Sequence, residues 1–507
     1  EGAGPAAANV ERATVGSLAD RVGDVVALEA EVTGVRQTSG PTIFELTDET
    51  GAVDCAAFVE AGVRAYPEVD AGDVVRLVGE VERRHGELQV ETEALDVLGE
   101  DDAAAIRDRL EAQLTERATP TDETLLVQDA GIDVVHDDLV AAATEIRRAV
   151  IDSRPVIVRH IADVEGYVGG TAIERAILPL VREEHTESDA EYHYVDRRPL
   201  EDGFYTLDDA TKDVTTMLEA ADRHDEKHPL FVLVGTGSTR ESVDGLGLLS
   251  LYDAPTVALD GGYADGDARA AADVLVSPTP RDADPVSTAV LASHLAGIVN
   301  EAVRDDLAHL PAVPFWGDAP EVYADLAADA GYDAETVADV RDALSLEAFY
   351  QSYEDKREIV ADLLWDEAHT RLVGHVAARF REKLDGEFET AEPHLDARAI
   401  DGVTFEVLDV DSFTHRYDFP PVELLLDALF RERAGDDYVL VGADGDELRF
   451  RATGDVDVRA VGETLAEDLP EAGVRPRGAQ DGRVEFLRGE RDAVVEAAVD
   501  AIAAQLA

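Results

Sequence analysis

The chain contains almost no cysteine or methionine. Cys55 is the one cysteine in 507 residues, which excludes an internal disulfide and a cysteine-based zinc site. Met217 is the one methionine and the sequence opens at Glu1, so we expect these residues to begin inside a longer product with a domain upstream. No apolar run approaches membrane-spanning length and no signal peptide is visible. We therefore expect a cytoplasmic protein with no membrane partner.

Basic residues are also scarce, and lysine is the scarcest of them. The 44 Lys and Arg residues face 110 Asp and Glu residues, which gives a formal net charge of -66. This balance is typical of a salt-in halophile, such as a halophilic archaeon, where concentrated cations screen the repulsion between carboxylates. In a dilute cytoplasm it argues against nucleic-acid binding, because phosphate contacts need local Arg or Lys. In high salt that argument weakens. The lysines are Lys212, Lys227, Lys356 and Lys383.

The length allows about three or four domains with cores of their own, and the first domain is predicted to be all-β. Apolar positions alternate within five segments, with a short break at 59–66 and a glycine-bearing hairpin at 83–86. This pattern predicts a small closed barrel. The predicted strands are Val25–Val35, Thr42–Thr47, Ala52–Phe58, Val74–Val81 and Leu88–Val97.

Two runs in this part, VALEAEVTGV at 26–35 and FELTDETG at 44–51, resemble the OB-fold nucleic-acid-binding family. The resemblance implies that a single strand binds across one face, framed by the loops between strands one and two and strands four and five. The alternative is that the hairpin tips are merely polar and the aromatic residues belong to the core. The candidate binding residues are Arg36, Arg83, Arg84 and His85 in the loops, and Phe44 and Phe58 on the strands.

The next part of the chain changes from helices to alternating strands and helices. Glu100–Ala118 predicts a charged helical connector, and 137–152 predicts an amphipathic helix. From Pro155 to Arg304 short apolar strands alternate with helices, which predicts a doubly wound parallel sheet. Beyond the strand that starts at Pro155, the predicted strands are Glu191–Asp196, Phe231–Val234 and Thr256–Leu259.

The first turn of this sheet carries the candidate site. The strand from Pro155 is predicted to end in a loop with Asp163, Glu165 and three glycines, ahead of a helix at Thr171–Val181. Open α/β sheets bind their ligands at the carboxyl ends of strands. A solvated turn is the alternative interpretation of an Asp and a Glu in a loop of this kind.

This loop resembles the first motif of the DHH phosphoesterase superfamily, which includes the RecJ-like nucleases. Asp163 and Gly166 match the motif, and Glu165 stands where the family has a second Asp. Ile161 occupies a ligand position, and His160 lies one residue earlier. We therefore expect the turn to be kept and its metal chemistry to be lost.

Two further strand ends resemble later motifs of the same family. The segment VGTGS resembles the family's Asp-X-Gly-Ser turn, with Gly235 in place of the aspartate. The segment LDGG resembles Asp-His-His, with Asp260 kept and Gly261 and Gly262 in place of the histidines. The backbone pattern is retained at each place where a ligand is missing.

The resemblance implies a site for two manganese ions that activate a water, which needs several carboxylates and imidazoles. The residual metal candidates are Asp163, Glu165 and Asp260, which could hold one hydrated magnesium or manganese ion. We expect no other cofactor. An active enzyme would need further carboxylates to complete a remodelled site, such as Asp208, Asp209 or Asp213.

The remaining residues resemble the other parts of archaeal RecJ-like proteins. Residues 305–390 predict an all-helical insertion, and 391–507 predict a DHH-associated, substrate-clamping α/β domain. The family's Gly-Gly-Gly-His loop has no match, and the segment 474–482 lies in its approximate place. Arg475 and Arg477 in that segment are candidate phosphate contacts, with an ordinary polar loop as the alternative.

The sequence thus predicts a multi-domain fold: an all-β OB barrel at 1–98, a helical connector at 99–150, an α/β doubly wound parallel-sheet DHH domain at 151–304, the helical insertion and the C-terminal α/β domain.

Because the layout is kept while ligands are missing, we expect a catalytically degenerate subunit of a nuclease or of a replication or repair complex. It would bind single-stranded DNA or RNA, or a protein partner. The alternative is an active metal-dependent, single-strand-specific exonuclease or phosphodiesterase. The family implies as protein partners an active RecJ-like paralogue, a ribonuclease, or a replication helicase or GINS-type complex.

Overall fold

The structure is a computed structural model in which two compact units are distinguished, Glu1–Ala118 and Thr119–Ala507. No described helix is long and apolar enough to cross a membrane. The structure describes residues 10–60, 63–84, 86–185, 189–224, 226–279, 285–351, 357–365, 370–412, 419–478 and 482–506.

The first unit is a closed five-stranded barrel. Its strands are β1 (Val25–Gln37), β2 (Thr42–Asp48), β3 (Gly51–Ala57), β4 (Val74–Arg84) and β5 (Glu87–Val97). They follow the order β1-β2-β3-β5-β4 around the barrel, which confirms the predicted OB barrel. Alternate apolar residues of each strand point inward and form its core. Gly79 lies at a bulge between β4 and β5, where a Cβ would overlap the backbone of Glu91. Helix α1 (Glu100–Ala118) packs Ala103 and Ile106 on the barrel.

The second unit begins with a five-stranded parallel sheet. Its strands are β6 (Val156–His160), β7 (Val195–Pro199), β8 (Leu230–Val234), β9 (Thr256–Leu259) and β10 (Val274–Val276). They lie in the order β10-β9-β8-β6-β7. Successive strand residues such as Leu233 and Val234 point to opposite faces of the sheet, and both are apolar. Both faces therefore need to be buried, and helices cover each of them. The doubly wound parallel sheet is therefore confirmed.

Long and short helices surround this sheet. They are α2 (Ala130–Asp133), α3 (His136–Ile151), α4 (Val164–Glu184), α5 (Ala190–Tyr194), α6 (Leu207–His224), α7 (Val243–Ser250), α8 (Gly266–Ala271), α9 (Thr288–Val299) and α10 (Arg304–Leu307). Helices α3, α4 and α9 pack on one face, and α6, α7 and α8 pack on the other.

A helical region follows and shares the hydrophobic core of the first face, since Tyr323, Leu344 and Leu364 belong to the same cluster as the sheet. The predicted helical insertion is present. Its helices are α11 (Glu321–Asp329), α12 (Ala334–Gln351), α13 (Arg357–Trp365) and α14 (Thr370–Ala391).

The C-terminal region contains a six-stranded mixed sheet with helices on both faces. Its elements are β11 (Leu395–Ile400), β12 (Val403–Asp409), α15 (Val422–Arg433), β13 (Tyr438–Ala443), β14 (Glu447–Ala452), α16 (Val458–Asp468), β15 (Arg475–Arg477), β16 (Arg483–Glu485) and α17 (Arg491–Leu506). The strand order is β11-β12-β13-β14-β16-β15. Helices α16 and α17 cover one face, and α15 packs on the other face. The predicted C-terminal α/β region is confirmed.

Three local predictions were wrong. Helix α4 begins at Val164 and not at Thr171, so the predicted carboxylate loop is mostly its first turns. Residues 190–194 form α5, and the predicted strand there begins only at Val195. Residues 475–477 form the edge strand β15 where a loop was expected. The domain boundaries at 98, 150, 304 and 390 remain predictions.

Candidate functional site

Asp163 lies at the carboxyl end of β6 and is the N-cap of α4. Its side chain accepts a hydrogen bond of 2.9 Å from the backbone N–H of Gly166. A Cβ on Gly166 would overlap the carbonyl oxygen of Ile161, so only glycine fits this turn. Although Asp163 is exposed, the protein atoms around it displace much of its hydration. This desolvation, together with the nearby carboxylates of Glu165 and Asp427, raises the pKa of Asp163 to about 7.

Glu165 points to a different helix. Its carboxylate accepts hydrogen bonds from the Ser287 hydroxyl at 2.7 Å and from the Ala289 N–H at 2.8 Å. Both donors lie at the N-terminus of α9, where backbone N–H groups have no partner inside the helix. Burial raises the pKa of Glu165, and these hydrogen bonds oppose that increase. Glu165 therefore acts as a cap that joins α4 to α9.

Asp260 follows β9 and is also held by internal donors. One of its oxygens accepts a 2.8 Å hydrogen bond from the Gly262 N–H, and the other accepts a hydrogen bond from the hydroxyl of Ser238. The three residual carboxylates thus follow β6 and β9, two strands of the sheet that are separated by β8. Each of them stabilises a turn or a helix end.

Neighbouring groups occupy the space at two of the positions where the sequence predicted missing ligands. Gly235 has a φ of +73°, and a Cβ there would lie 2.6 Å from Cδ1 of Ile161. The isoleucine side chain therefore occupies the space next to Gly235. A Cβ on Gly261 would overlap the carbonyl oxygen of Val286, and the Gly261 N–H donates to the Thr288 hydroxyl at 3.0 Å. Ligand side chains do not fit at 235 or 261 without rearrangement.

The residues present do not fit a pair of metal ions. A two-metal site needs several carboxylates and imidazoles directed at one point, whereas each residual carboxylate here receives internal hydrogen bonds. His160 is completely buried at the end of β6, and burial lowers its pKa to about 3. Within the described ranges no group of three or more His, Cys, Asp or Glu residues could hold a metal ion.

The carboxylates proposed for a remodelled site have other partners. Asp209 accepts hydrogen bonds from the N–H and hydroxyl of Thr206 and so caps α6. Asp213 is buried between the Tyr205 hydroxyl at 3.0 Å and the Arg159 guanidinium at 3.2 Å. Asp208 pairs with Lys212 on the exposed side of α6. These contacts stabilise α6 and the face of the sheet that it covers. They do not bring the three carboxylates together as a catalytic group.

Two arginines of the C-terminal sheet point toward helix α15. Arg449 and Arg451 alternate along β14, so both side chains lie on the face opposite the core residues Leu448 and Phe450. Arg449 contacts Glu423 and Glu447, and Arg451 contacts Asp427. Burial and the nearby Arg483 lower the pKa of Arg449 to about 9.

Several polar contacts connect the C-terminal region to the parallel-sheet region. Arg483 on β16 binds the Asp202 carboxylate with two hydrogen bonds of 2.7 and 2.8 Å. Arg459 on α16 binds both oxygens of Asp265 at 2.7 and 2.9 Å. The Gly478 N–H donates to Glu241 at 3.1 Å. The two regions are therefore held together by charge-assisted hydrogen bonds.

The two arginines predicted in this region have different surroundings. Arg477 lies 5.3 Å from the ring centroid of Phe204 and near Asp202 and Glu485, so it takes part in the links between the regions. Arg475 is exposed at the sheet edge. Sequence reasoning missed Arg449 and Arg451, although their spacing of two residues in a strand pattern indicates a shared face.

The candidate binding residues of the barrel do not form one continuous basic surface. Arg36 is exposed but pairs with Asp54, and the Arg83 guanidinium donates to the Gly86 carbonyl at 3.2 Å. Arg84 is exposed, and His85 lies outside the described residues. Phe44 was a wrong candidate for base stacking, because it is completely buried in the barrel core. Phe58 remains available, with 64% of its surface exposed.

Comparisons with known proteins agree with both units. The family model described as OB-fold nucleic acid binding domain matches residues 26–98. The uncharacterized protein MJ1198 of Methanocaldococcus jannaschii is 31% identical over 522 residues, covering 94% of this chain and 69% of its own length. The chain therefore spans about two thirds of that relative.

Solved structures match the larger unit. A structure described as the DHH domain of PF0399, a member of a family of ribosomal proteins, is 27% identical with a TM-score of 0.73; the match covers 79% of this chain and 98% of that one. RecJ of Thermus thermophilus in complex with Mn²⁺ is 16% identical with a TM-score of 0.48, covering 78% of this chain and 59% of RecJ. The chain belongs to the same family as MJ1198, and it combines an OB-fold at 26–98 with a DHH-like α/β domain.

Proposed function

We propose that this protein is a catalytically degenerate RecJ-like member of the DHH superfamily that binds single-stranded nucleic acid and serves as a subunit of a nuclease or of a replication or repair complex. The observation that carries the proposal is the filled ligand pocket. Ile161 takes the space beside Gly235, and the Val286 backbone takes the space beside Gly261. Water activation by the family's route needs ligands at these positions.

The internal hydrogen bonds of the remaining carboxylates support the same proposal. Asp163, Glu165 and Asp260 are each used to cap a helix or a turn. A metal ion would have to compete with these donors, and removing a cap costs about 1 kcal/mol of stability. The carboxylates are therefore retained for the fold in this proposal.

Nucleic-acid binding is proposed for the barrel. The OB-fold family matched by residues 26–98 is described by its nucleic acid binding, and OB-folds combine basic loops with exposed aromatic rings. Phe58 and Arg84 supply an exposed ring and an exposed guanidinium here. Arginine contacts with phosphate would position a strand without reading its bases.

A nuclease assay in concentrated KCl tests the catalytic part of the proposal. Single-stranded DNA, single-stranded RNA and a dinucleotide are incubated with the full chain and Mn²⁺, beside an Asp163→Ala variant. We expect no turnover by either protein. Turnover by the wild-type chain that Asp163→Ala abolishes would establish the active exonuclease or phosphodiesterase instead.

The subunit part of the proposal rests on the fold that is kept without its ligands. The helical region and the C-terminal sheet are both present and linked to the parallel sheet, so the outer surfaces remain available for protein contacts. We further propose that the protein works in the cytoplasm of a salt-in halophile, as its charge of -66 indicates. Affinity purification in multimolar KCl should recover a stoichiometric nuclease, helicase or primase-type partner. Recovery only as a free monomer would contradict this role.

A further inference from the structure

Trp316 carries two arginines on its indole ring. The guanidinium carbon of Arg341 lies 4.4 Å from the ring centroid, and that of Arg431 lies 4.7 Å from it. Phe380 also stacks against Trp316, with 5.7 Å between the centroids. The indole ring therefore holds both guanidinium groups in fixed positions. Because a stacked arginine is already ordered, it loses little conformational entropy when it binds a ligand.

The charges of the two arginines are compensated differently. Arg341 donates to the Asp342 carboxylate at 3.0 and 2.7 Å and to the Phe315 carbonyl at 2.8 Å. Arg381 shares Asp342, at 2.7 Å. Arg431, in contrast, has no hydrogen bond or ion pair with a carboxylate within the described ranges, although it is exposed.

Other arginines near Arg431 have carboxylate partners. Arg433, two residues further on α15, binds both oxygens of Glu406, and Arg451 on β14 binds Asp427. In a chain with 110 acidic and 44 basic residues, most arginines have carboxylate partners of this kind. An exposed guanidinium that is stacked on an aromatic ring and has no bonded carboxylate among the described residues is suited to bind an anion from outside the chain.

Asp427 connects Arg431 electrostatically with the candidate site. It precedes Arg431 by one helical turn on α15 and forms an ion pair with Arg451. Asp427 interacts electrostatically with Arg431 and also with Asp163.

We propose that Arg431, held by Trp316, is a binding site for a phosphate group. Its occupant is a backbone phosphate of single-stranded nucleic acid, and this assignment rests on the nucleic-acid binding proposed above. The planar guanidinium offers two parallel N–H groups to two phosphate oxygens. Trp316 fixes the plane of the guanidinium, and the donors of Arg341 stay engaged with Asp342 and Phe315.

The chain contains two tryptophans, Trp316 and Trp365, which allows a direct test. In a Trp365→Phe background, all indole fluorescence comes from Trp316. The full chain is titrated with a single-stranded oligothymidylate and, separately, with inorganic phosphate. Anisotropy of a labelled oligothymidylate reports binding to the whole protein in the same buffers, over a series of KCl concentrations.

We expect the oligonucleotide to change the Trp316 emission. Arg431→Gln should weaken oligonucleotide binding about tenfold, since one bidentate charge-assisted contact is lost, and should lower the salt dependence of log K by about 0.7. Arg431→Lys should restore the salt dependence but not the full affinity, because lysine keeps the charge and loses the stacked plane. The matched control is Arg223→Gln, which removes an exposed arginine from the last turn of α6. This turn precedes the amino end of β8, away from the carboxyl ends of the strands.

The outcomes separate the two proposals. A change of Trp316 emission with phosphate at similar concentrations would still support the site and assign it to a small phosphate ligand. If anisotropy shows binding that Arg431→Gln leaves unchanged and Trp316 does not respond, the site is wrong and the nucleic-acid function stands. If neither anisotropy nor Trp316 responds to any titrant, both proposals are overturned.

Discussion

Ile161 is the residue on which the filled pocket depends. It stands at a predicted ligand position, and its side chain lies next to Gly235, which stands at another predicted position. An apolar side chain at this place excludes a carboxylate at 235 both by volume and by desolvation. The two substitutions therefore belong together, and reversing one of them alone is expected to be unfavourable.

Gly235→Ala should destabilise the protein by about 2 kcal/mol, because its φ of +73° is strained for alanine and its Cβ would lie 2.6 Å from Ile161 Cδ1. Combining it with Ile161→Ala should give less than the sum of the two effects, by about 1 kcal/mol. Urea unfolding in buffered KCl measures this coupling. Gly262→Ala is the control, since its Cβ would meet the Asp260 carboxylate oxygen at 3.2 Å at the closest. Strict additivity would show that Ile161 does not fill the site.

His294 predicts a specific acid sensitivity. It is completely buried, and its Nδ1 accepts a 3.1 Å hydrogen bond from the Leu126 N–H, so the ring is held neutral. Burial lowers its pKa to about 4 from an ordinary value of 6.5. Between these values the unfolded chain takes up a proton that the folded chain does not, so stability is lost as the pH falls from about 6.5 to about 4.

His294→Asn keeps an acceptor and removes this titration. The excess stability of the wild type over the variant should fall by about 3 kcal/mol between pH 7 and pH 4, as measured by urea unfolding. His193→Asn, at an exposed position on α5, is the control. An equal pH dependence in all three proteins would refute the assigned role of His294.

At the scale of elements, α4 and α9 define the candidate site, and their contact explains what the carboxylates do. A Cβ on Gly169 would lie 2.8 Å from Val234 and 3.0 Å from Ala292, so α4 approaches β8 and α9 closely. Glu165 then reaches the N-terminus of α9. The carboxylate that the family pattern assigns to metal becomes a connection between two helices.

Glu165→Ala should therefore lower the Tm, since the Ala289 N–H and the Ser287 hydroxyl lose their acceptor, with a cost of about 1 to 2 kcal/mol. Mn²⁺ in millimolar amounts should raise the Tm of neither protein, because the donor set does not fit the ion. Thermal unfolding followed by circular dichroism measures both effects. A Mn²⁺-dependent rise in the wild type that disappears in Glu165→Ala would show a metal site.

The link between α16 and α8 gives a second prediction at this scale. Arg459 and the N-cap residue Asp265 are both largely buried and form two hydrogen bonds. A double-mutant cycle with Arg459→Gln and Asp265→Asn should give a coupling of about 1 to 2 kcal/mol. The exposed pair Arg223 and Glu219 on α6 should give at most about 0.5 kcal/mol. Equal couplings would mean that this link does not hold the C-terminal region.

The sequence predicted the elements whose patterns are local. The barrel strands follow from alternating apolar residues, and β8 and β9 follow from short continuous apolar runs. The start of α4 was missed because its three glycines suggested a turn, whereas Gly169 and Gly170 permit close packing with distant residues. Tertiary contact decided their conformation.

The candidate site was predicted only in part, for the same reason. The motif positions predicted Asp163, Glu165 and Asp260 as residual ligands, and their role toward a metal stays a prediction. The partner of Glu165 lies more than a hundred residues away on α9, and Trp316 meets Arg431 across a similar separation. No local pattern in one sequence indicates such pairs.

At the scale of the whole molecule, the net charge of -66 opposes any polyanion. Its repulsion acts over the Debye length, which is about 30 Å at 0.01 M salt, about 10 Å at 0.1 M and about 3 Å at 1 M. The proposed arginine contacts act over hydrogen-bond distances and are weakened by salt through counterion release. The two effects therefore respond to salt with opposite signs.

The affinity for single-stranded oligonucleotide should consequently rise with KCl, pass through a maximum and then fall. At low salt the long-range repulsion decreases fastest, and near about 1 M KCl only the local contacts remain to be weakened. Anisotropy of a labelled oligothymidylate over a KCl series measures the curve, with circular dichroism at each concentration to verify that the chain is folded. A peptide nucleic acid of the same sequence has no phosphates and should show no maximum. A steady loss of affinity from the lowest salt at which the chain is folded would show that the total charge does not govern binding and that a local basic surface does.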